Sequence, residues 1–439
     1  MKRLFLAVIL SIFFLTSLLS IELDFCGKTV LVALEPRLSD SSRSLVDVSF
    51  WKNVEMVSAI QINIVNNEMA SEALRQAGRE FRAIYRITLP NEDKSKVLET
   101  VDKLKNIDGV EIAEPNYFDR VTLVPNDQHW NHNGLWTLRS NNSFGLNAQS
   151  AWDVTTGSRS IRVGVIDSGI FAHNDLIANL IPGKNFENPN SNDTSDTHSH
   201  GTMTAGIIGA VGNNSIGTVG VNWQVSLVPL KTSSGLSHGV DERVEAISYA
   251  TSLWGTANQI SILNHSIAGY GIRHLIRTEI NNYPGLFVWG AGNDGDNVDT
   301  IIANNGWVNP PNLIAVGAID SGGNRSDWGG GQSSNFSSSN QHVHIYAPGT
   351  NGYTTSLNNS YARYDGTSMA APHVAGVAAL LLSINPDMKA EEMKSIIANT
   401  GNSNDISIPS GNGSVQQTVK RLNAYAAVSF ISLDLIANQ

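Results

Sequence analysis

The stretch Gly366-Thr-Ser-Met-Ala-Ala-Pro-His-Val-Ala-Gly376 opens an almost unbroken run of small and apolar residues through Leu382. Such a run reads as a helix that is apolar on all sides, hence buried. Pro372 is best tolerated near a helix start, so the helix is expected to begin close to Ser368. A serine there stands at the positive end of the helix dipole, beside unpaired backbone N–H groups. A hydroxyl so placed can serve as a nucleophile, and an oxyanion can be held beside it. The same pattern also describes a capping serine on an ordinary core helix.

Three more segments hold side chains suited to that chemistry. Asp167 follows the strand-like segment Ile161-Arg-Val-Gly-Val-Ile166 in Val165-Ile-Asp-Ser-Gly169, as a strand-end carboxylate or a simple turn residue. His200 opens the small-residue stretch His200-Gly-Thr-Met-Thr-Ala-Gly206. Asn293 sits in Gly290-Ala-Gly-Asn-Asp-Gly295, where glycines permit close approach and an amide can donate to a developing oxyanion. Taken alone, Asn-Asp-Gly is a turn. His173 and His198 rival His200, and Asp196-Thr-His-Ser-His200 hints at a metal cluster. Two histidines at i and i+2 cannot share a helical face and no cysteine is near, which argues against metal catalysis. Cys26, the one cysteine, lies far from any histidine-bearing motif, so it forms no intramolecular disulfide and is a poor candidate nucleophile.

These residues need a scaffold, and the chain from Leu135 supplies an alternating one. Strands are expected at Ile161–Ile166, Ser226–Leu230, Ile260–Leu263, Leu286–Trp289 and Asn312–Ala318. Helices are expected at Thr202–Ala210, Val240–Trp254 and Ile272–Ile280. Apolar strands separated by helices imply an α/β fold: a doubly wound, mostly parallel sheet with helices on both faces. Ligands of such sheets bind beyond the carboxyl ends of the strands, where Asp167 and Asn293 fall. Residues from about 27 to 120 differ in texture. Strands at Thr29–Glu35, Tyr85–Leu89 and Val110–Tyr117, and a helix at Asp93–Ile107 with Val97, Val101 and Leu104 on one face, predict a small α+β unit.

The chain order Asp167, His200, Ser368 is that of the subtilisin triad. An α/β-hydrolase would need its histidine after the nucleophile, and only His373 follows, five residues on in the same helix. Chymotrypsin-like order belongs to an all-β framework. The motifs Val165-Ile-Asp-Ser-Gly, His200-Gly-Thr, Ala291-Gly-Asn-Asp-Gly and Gly366-Thr-Ser-Met-Ala-Ala-Pro resemble those of the subtilisin-like serine proteases, the subtilases, in order and spacing. The resemblance covers roughly residues 130 to 430. It implies Ser368 as nucleophile, His200 as general base and acid, Asp167 as the group orienting His200, and Asn293 with the Ser368 N–H as oxyanion donors. It implies that Ser266, Ile267 and Ala268 pair with extended substrate and line a pocket with Gly290, Ala291 and Gly292. Three departures are visible. Met203-Thr204 replaces His-Val, His265 replaces Met, and Ala268 replaces Gly and narrows the room for substrate.

The same resemblance implies structural Ca²⁺ held by Asp175, Asn214, the carbonyls of Gly212, Ile216 and Thr218, and the side chain of Gln128. It recasts residues 21–121 as a propeptide, an inhibitor and folding aid whose tail fills the substrate cleft until it is cut between about Tyr117 and Asn126. Residues 122–439 are then the catalytic domain, and peptides or proteins the substrates. Lys2-Arg3 followed by the apolar run Leu4–Ile21 predicts a signal peptide, here residues 1–20, and export. An uncleaved anchor through residues 4–21 and a lipid on Cys26 are the alternatives. A net charge of −10 without a long basic run speaks against nucleic acid as a partner. No stable membrane association is expected of the exported form, and a monomer is expected. A silent peptide-binding domain of the same fold is the rival to an enzyme.

Overall fold

The computed structural model describes residues 25–34, 56, 58–61, 83–117, 123–235, 237–267, 274–306, 308–410 and 413–437. The run Leu4–Ile21 and the site residue Ala268 lie outside them. The chain divides into two compact units, residues 1–121 and 122–439.

The first unit is a four-stranded sheet with one helix. Strands β1 (Phe25–Leu34), β2 (Ser58–Gln61), β3 (Ile84–Thr88) and β4 (Val110–Tyr117) run in the order β2-β3-β1-β4. β1 is antiparallel to both of its neighbours. Helix α1 (Lys94–Lys105) starts where Asp93 Oδ1 accepts from Ser95 N and Lys96 N. Its apolar face, Val97, Val101 and Leu104, closes on Val30, Val32, Tyr85 and Ile87. Cys26 is a half-buried free thiol in β1.

The second unit is built on a nine-stranded sheet. In chain order its strands are β5 (Gly157–Asp167), β6 (Lys184–Asn185), β7 (Gln224–Lys231), β8 (Ile262–His265), β9 (Leu286–Gly290), β10 (Leu313–Ile319), β11 (Ile345–Pro348), β12 (Asn402–Ser410) and β13 (Gly413–Arg421). They lie in the order β12-β13-β11-β10-β9-β8-β5-β7-β6. Every pairing is parallel except the β12–β13 hairpin at one edge. β8 to β11 are buried along their whole length, which their Val/Ile/Leu/Phe content allows because both faces are covered.

On one face α3 (Val240–Ser252) and α4 (His274–Asn282) bury Ala246, Ile247, Ile276 and Ile280. On the other lie α2 (His200–Gly209) and the long α5 (Thr367–Ile384). From Met369 to Leu382 every residue of α5 is buried, and it packs against β5, β8, β9, β10, β11 and α2. Gly376 permits that closeness, since a Cβ there would stand 2.6 Å from Val221 Cβ. The β12–β13 hairpin and the terminal α6 (Ala424–Ala437) were not among the expected elements.

Candidate active site

The sheet topology brings together what the sequence scatters. β5, β8 and β9 are neighbours, so their carboxyl ends place Asp167, Ser266 and Gly290–Asn293 along one edge. The first turns of α2 and α5 deliver His200 and Ser368 to the same unit.

Asp167 is fully buried, and both of its oxygens lie 2.9 Å from His200 Nδ1. Burial pulls the Asp167 carboxyl upward. The His200 ring and the hydrogen bonds from His200 and Ser168 N outweigh that and hold it below the usual carboxylate range. Burial pulls His200 downward, but Asp167 and, at longer range, Asp196 raise it above the ordinary histidine value. The pair is therefore built to orient an imidazole and to favour its charged form.

Ser368 lies half-buried in the first turn of α5. Asn293 Oδ1 accepts from Thr367 N at 3.0 Å and Thr367 Oγ1 at 2.8 Å. Its Nδ2 is thereby turned toward the helix start. Gly366, at φ +131°, marks the point of convergence: a Cβ there would come within 3.0 Å of Ser368 Oγ and 3.7 Å of both Asn293 Nδ2 and Ser368 N. Hydroxyl, amide donor and backbone donor thus face one small volume that only glycine leaves open.

The helix starts at Thr367, as Pro372 led one to expect, and Pro372 sits in its second turn. It removes the N–H that would have met Ser368 O in the i→i−4 ladder. Ser266 Oγ supplies the missing donor, at 2.6 Å from Ser368 O, and itself accepts from Asn264 Nδ2 at 2.9 Å. This bond ties β8 to the carbonyl of the candidate nucleophile. His373 is a packing residue: its Nδ1 is 2.9 Å from Met369 O, and burial pushes it down to about 3.

Among the expected pocket residues, Ile267 is partly buried, and Gly290, Ala291 and Gly292 are buried. Gly292 N donates to Thr367 Oγ1 at 3.1 Å. Asn335, which no sequence motif marked, shapes this loop. Its Nδ2 donates to Ala291 O, its N donates to Gly292 O, and its Oδ1 accepts from Asp294 N and Asp296 N. Met203 packs with Ile207, Tyr364 and Met369, so this departure does reach helix packing.

His265 is the departure with an energetic consequence. It is fully buried between Phe287 and Trp289, and neither ring nitrogen has a hydrogen-bond partner. Burial holds it well below the ordinary histidine range, with Arg243 and His238 acting in the same direction. Its folded pKa is depressed, so the stability associated with it is present above about 6.5, the unfolded value, and is lost as pH falls below that. His265→Met is expected to raise stability by about 1–3 kcal/mol at pH 7 by removing unsatisfied polar atoms. The gain grows at pH 5. Melting curves of both forms in the Ser368→Ala background check this, and an unchanged or lowered midpoint at both pH values contradicts it.

The loop after α2 folds onto residues 126–129. Asp175 is buried, and Asn214 Nδ2 and Thr218 N donate to its two oxygens at 2.7 and 2.8 Å. Ile216 N donates to Asn214 Oδ1, and Gly212 leads into the loop. Gln128 is exposed, whereas its neighbour Asp127 is buried and accepts from Asn213 N at 2.8 Å. Asp127, not Gln128, is the side chain turned into this loop. Its Oδ1 is buried without a partner. Burial lifts Asp127 and Asp175 to about 6, and the charge of Asp127 adds to the rise at Asp175. Two desolvated carboxylates near one another, one with a bare oxygen, fit a hard cation.

Comparison with known proteins identifies the family. The Subtilase family model matches residues 158–420. The chain is 30% identical over 363 residues to a thermophilic serine proteinase of Bacillus sp. (strain AK1), covering 79% of this chain and 82% of that one. It is 31% identical over 322 residues to an extracellular protease of Xanthomonas campestris, covering 63% of this chain and about half, 53%, of that relative. A solved structure of proteases from Pseudoalteromonas arctica covers 70% of this chain and 99% of its own, with 29% identity and a TM-score of 0.57. The chain belongs to the subtilase family, the subtilisin-like serine peptidases.

Proposed function

We propose that the chain is a secreted, self-processed endopeptidase working through an acyl-enzyme. Ser368 Oγ attacks the scissile carbonyl while His200 takes its proton. Asp167 holds the imidazole in the right tautomer and stabilises its charged form. Asn293 Nδ2 and Ser368 N hold the oxyanion. His200 then protonates the leaving amine, and water attacks the acyl-enzyme by the same route. Peptide or protein substrate lies extended along Ser266–Ala268, with one side chain in the pocket bounded by Gly290–Gly292. The observation that supports this reading most is the His200 ring, 2.9 Å from both oxygens of a fully buried Asp167. A fluorophosphonate probe tests it: the mature wild type is labelled and Ser368→Ala is not. An unlabelled wild type overturns the reading in favour of a silent peptide-binding domain.

Residues 21–121 act as intramolecular inhibitor and are released by self-cleavage between about Tyr117 and Asn126. The name of the Xanthomonas relative supports export. No nucleic-acid partner is proposed, and the mature form is a monomer.

Ca²⁺ is a structural ligand in this reading. Asp127 and Asp175 supply its charge, and Asn214 with the carbonyls of Gly212, Ile216 and Thr218 completes the set. When bound, the ion offsets the repulsion of the two carboxylates. Without it, a carboxyl raised to about 6 contributes stability that is lost as pH rises through that value. At about 1,000 times its Kd, Ca²⁺ is expected to stabilise by about 4 kcal/mol at pH 8, less below pH 6, and not in Asp127→Asn. Melting curves with Ca²⁺ or a chelator decide; equal midpoints at pH 8 sink the calcium reading.

A further inference from the structure

Asp196 lies four residues ahead of His200 and is 3% exposed. Its Oδ1 accepts from Ser168 Oγ at 2.9 Å, His198 N at 2.8 Å and Ser199 N at 3.0 Å. Its Oδ2 accepts from Thr202 N at 2.9 Å and Thr202 Oγ1 at 2.6 Å. Five donors on one buried carboxylate exceed what a turn residue needs, and charge-assisted bonds of this kind are strong.

The donors explain how α2 begins. Ser199, the residue before the helix, is left-handed at φ +83° and makes no capping bond with its side chain. The first-turn N–H groups are satisfied from outside the helix instead. Gly201 N donates to Ser168 Oγ at 3.0 Å, and Thr202 N to Asp196. Ser168 then closes the circuit, because its N donates to Asp167 Oδ1 at 2.7 Å and its Oγ to Asp196. The orienting carboxylate, the helix that holds the imidazole, and Asp196 form one hydrogen-bonded ring.

We propose that Asp196 is the positioning residue of this site. It fixes the start of α2 and, through Ser168, the orientation in which His200 meets Asp167, and its charge supports the imidazolium formed when Ser368 gives up its proton. The inference rests on the triad reading above. The charged or titratable groups around His200 are Asp167 on β5, Asp196 and His198 ahead of α2, and His238 after β7, whose Nδ1 is 2.8 Å from Thr232 Oγ1. The two carboxylates favour the charged ring, and the two histidines, when protonated, oppose it.

In Asp196→Asn an NH₂ group replaces one acceptor oxygen and must face at least two donors, whichever way the amide turns. The mature enzyme is expected to lose about 10- to 100-fold in kcat, the scale of a displaced catalytic group, with KM within about twofold. The acid limb of kcat/KM moves to lower pH, because His200 loses a neighbouring negative charge. Ser168→Ala, which keeps the Thr202 contact, loses less kcat, again at constant KM. A fall in stability with kcat and the acid limb unchanged makes Asp196 merely structural and overturns the proposal. So does a fall in kcat with an unmoved acid limb. If Asp196→Asn does not fold, Ser168→Ala decides: wild-type kcat and wild-type fluorophosphonate reaction rate overturn the proposal. His200→Ala run in parallel separates the two levels. If it stays active the triad reading itself falls; if it is dead beside a wild-type-like Asp196→Asn, only the positioning role falls.

Discussion

Ser368→Ala is expected to lower kcat on a peptide substrate by about 10⁶-fold, since triad members act as a unit and the loss of the nucleophile removes the covalent route entirely. A residual rate above water of about 10³-fold remains from the oxyanion donors and from binding. The change is a deletion of one oxygen at a half-buried position, so the fold should be kept. Melting curves and the Ser266 Oγ to Ser368 O bond, which uses the backbone carbonyl, are unaffected. The same variant reads out maturation. Produced in a host without proteases, it should accumulate at full precursor length, and appearance at mature size refutes self-cleavage. Activity within tenfold of wild type refutes Ser368 as nucleophile.

Asn293→Ala is the second large effect. Asn293 does two jobs in the structure: its Oδ1 receives Thr367 N and Oγ1, and its Nδ2 faces the Gly366 opening. Removing one oxyanion donor is worth about 2.7–4 kcal/mol of transition-state stabilisation, or about 10²–10³ in kcat, with KM nearly constant; that magnitude comes from a subtilisin and is transferred to a relative here. The second job allows a control. Thr367→Val deletes the Oγ1 contacts to Asn293 Oδ1 and Gly292 N but leaves the Nδ2 donor, so it should fall between wild type and Asn293→Ala. Steady-state kinetics on one peptide amide check both. A rise in KM at constant kcat in Asn293→Ala would assign this residue to substrate binding instead.

Much of this was legible in the chain. The motifs around Asp167, His200, Asn293 and Ser368 are local, and each sits at a strand end or helix start, where sequence patterns speak most clearly. β9 and α5 announce themselves through nearly continuous apolar runs, and β5 through Val163–Ile166 ahead of Asp167. The hairpin β12–β13 does not, because Asn402–Ser410 is rich in Ser and Asn, and buried Ile406 and Ile408 alternate with exposed Asp405, Ser407 and Pro409. Its polar face reads as loop until the sheet edge is known. The sequence offers Asp196 only as a metal-ligand candidate, since nothing in it says that five donors from Ser168, His198, Ser199 and Thr202 will surround it. The sequence does not distinguish Asp127 from the adjacent Gln128, because irregular chain entering a turn has no period that says which side chain is buried. Pro372 correctly marks a helix start close to Ser368, but nothing in the sequence reveals Ser266 Oγ as the donor that replaces its missing N–H.

The helix α5 has a consequence for how the molecule fails. Among the described residues it packs against five strands of the sheet and against α2 and α6, and it bears Ser368 on its first turn. Many enzymes mount their reactive groups on loops that loosen while the body stays folded. Here the proposed nucleophile is bolted to the axle of the core. On the proposed reading Ser368 leaves its place only when the core opens, so any loss of activity below the melting midpoint is expected to begin elsewhere in the site, in the irregular chain that carries Asn293.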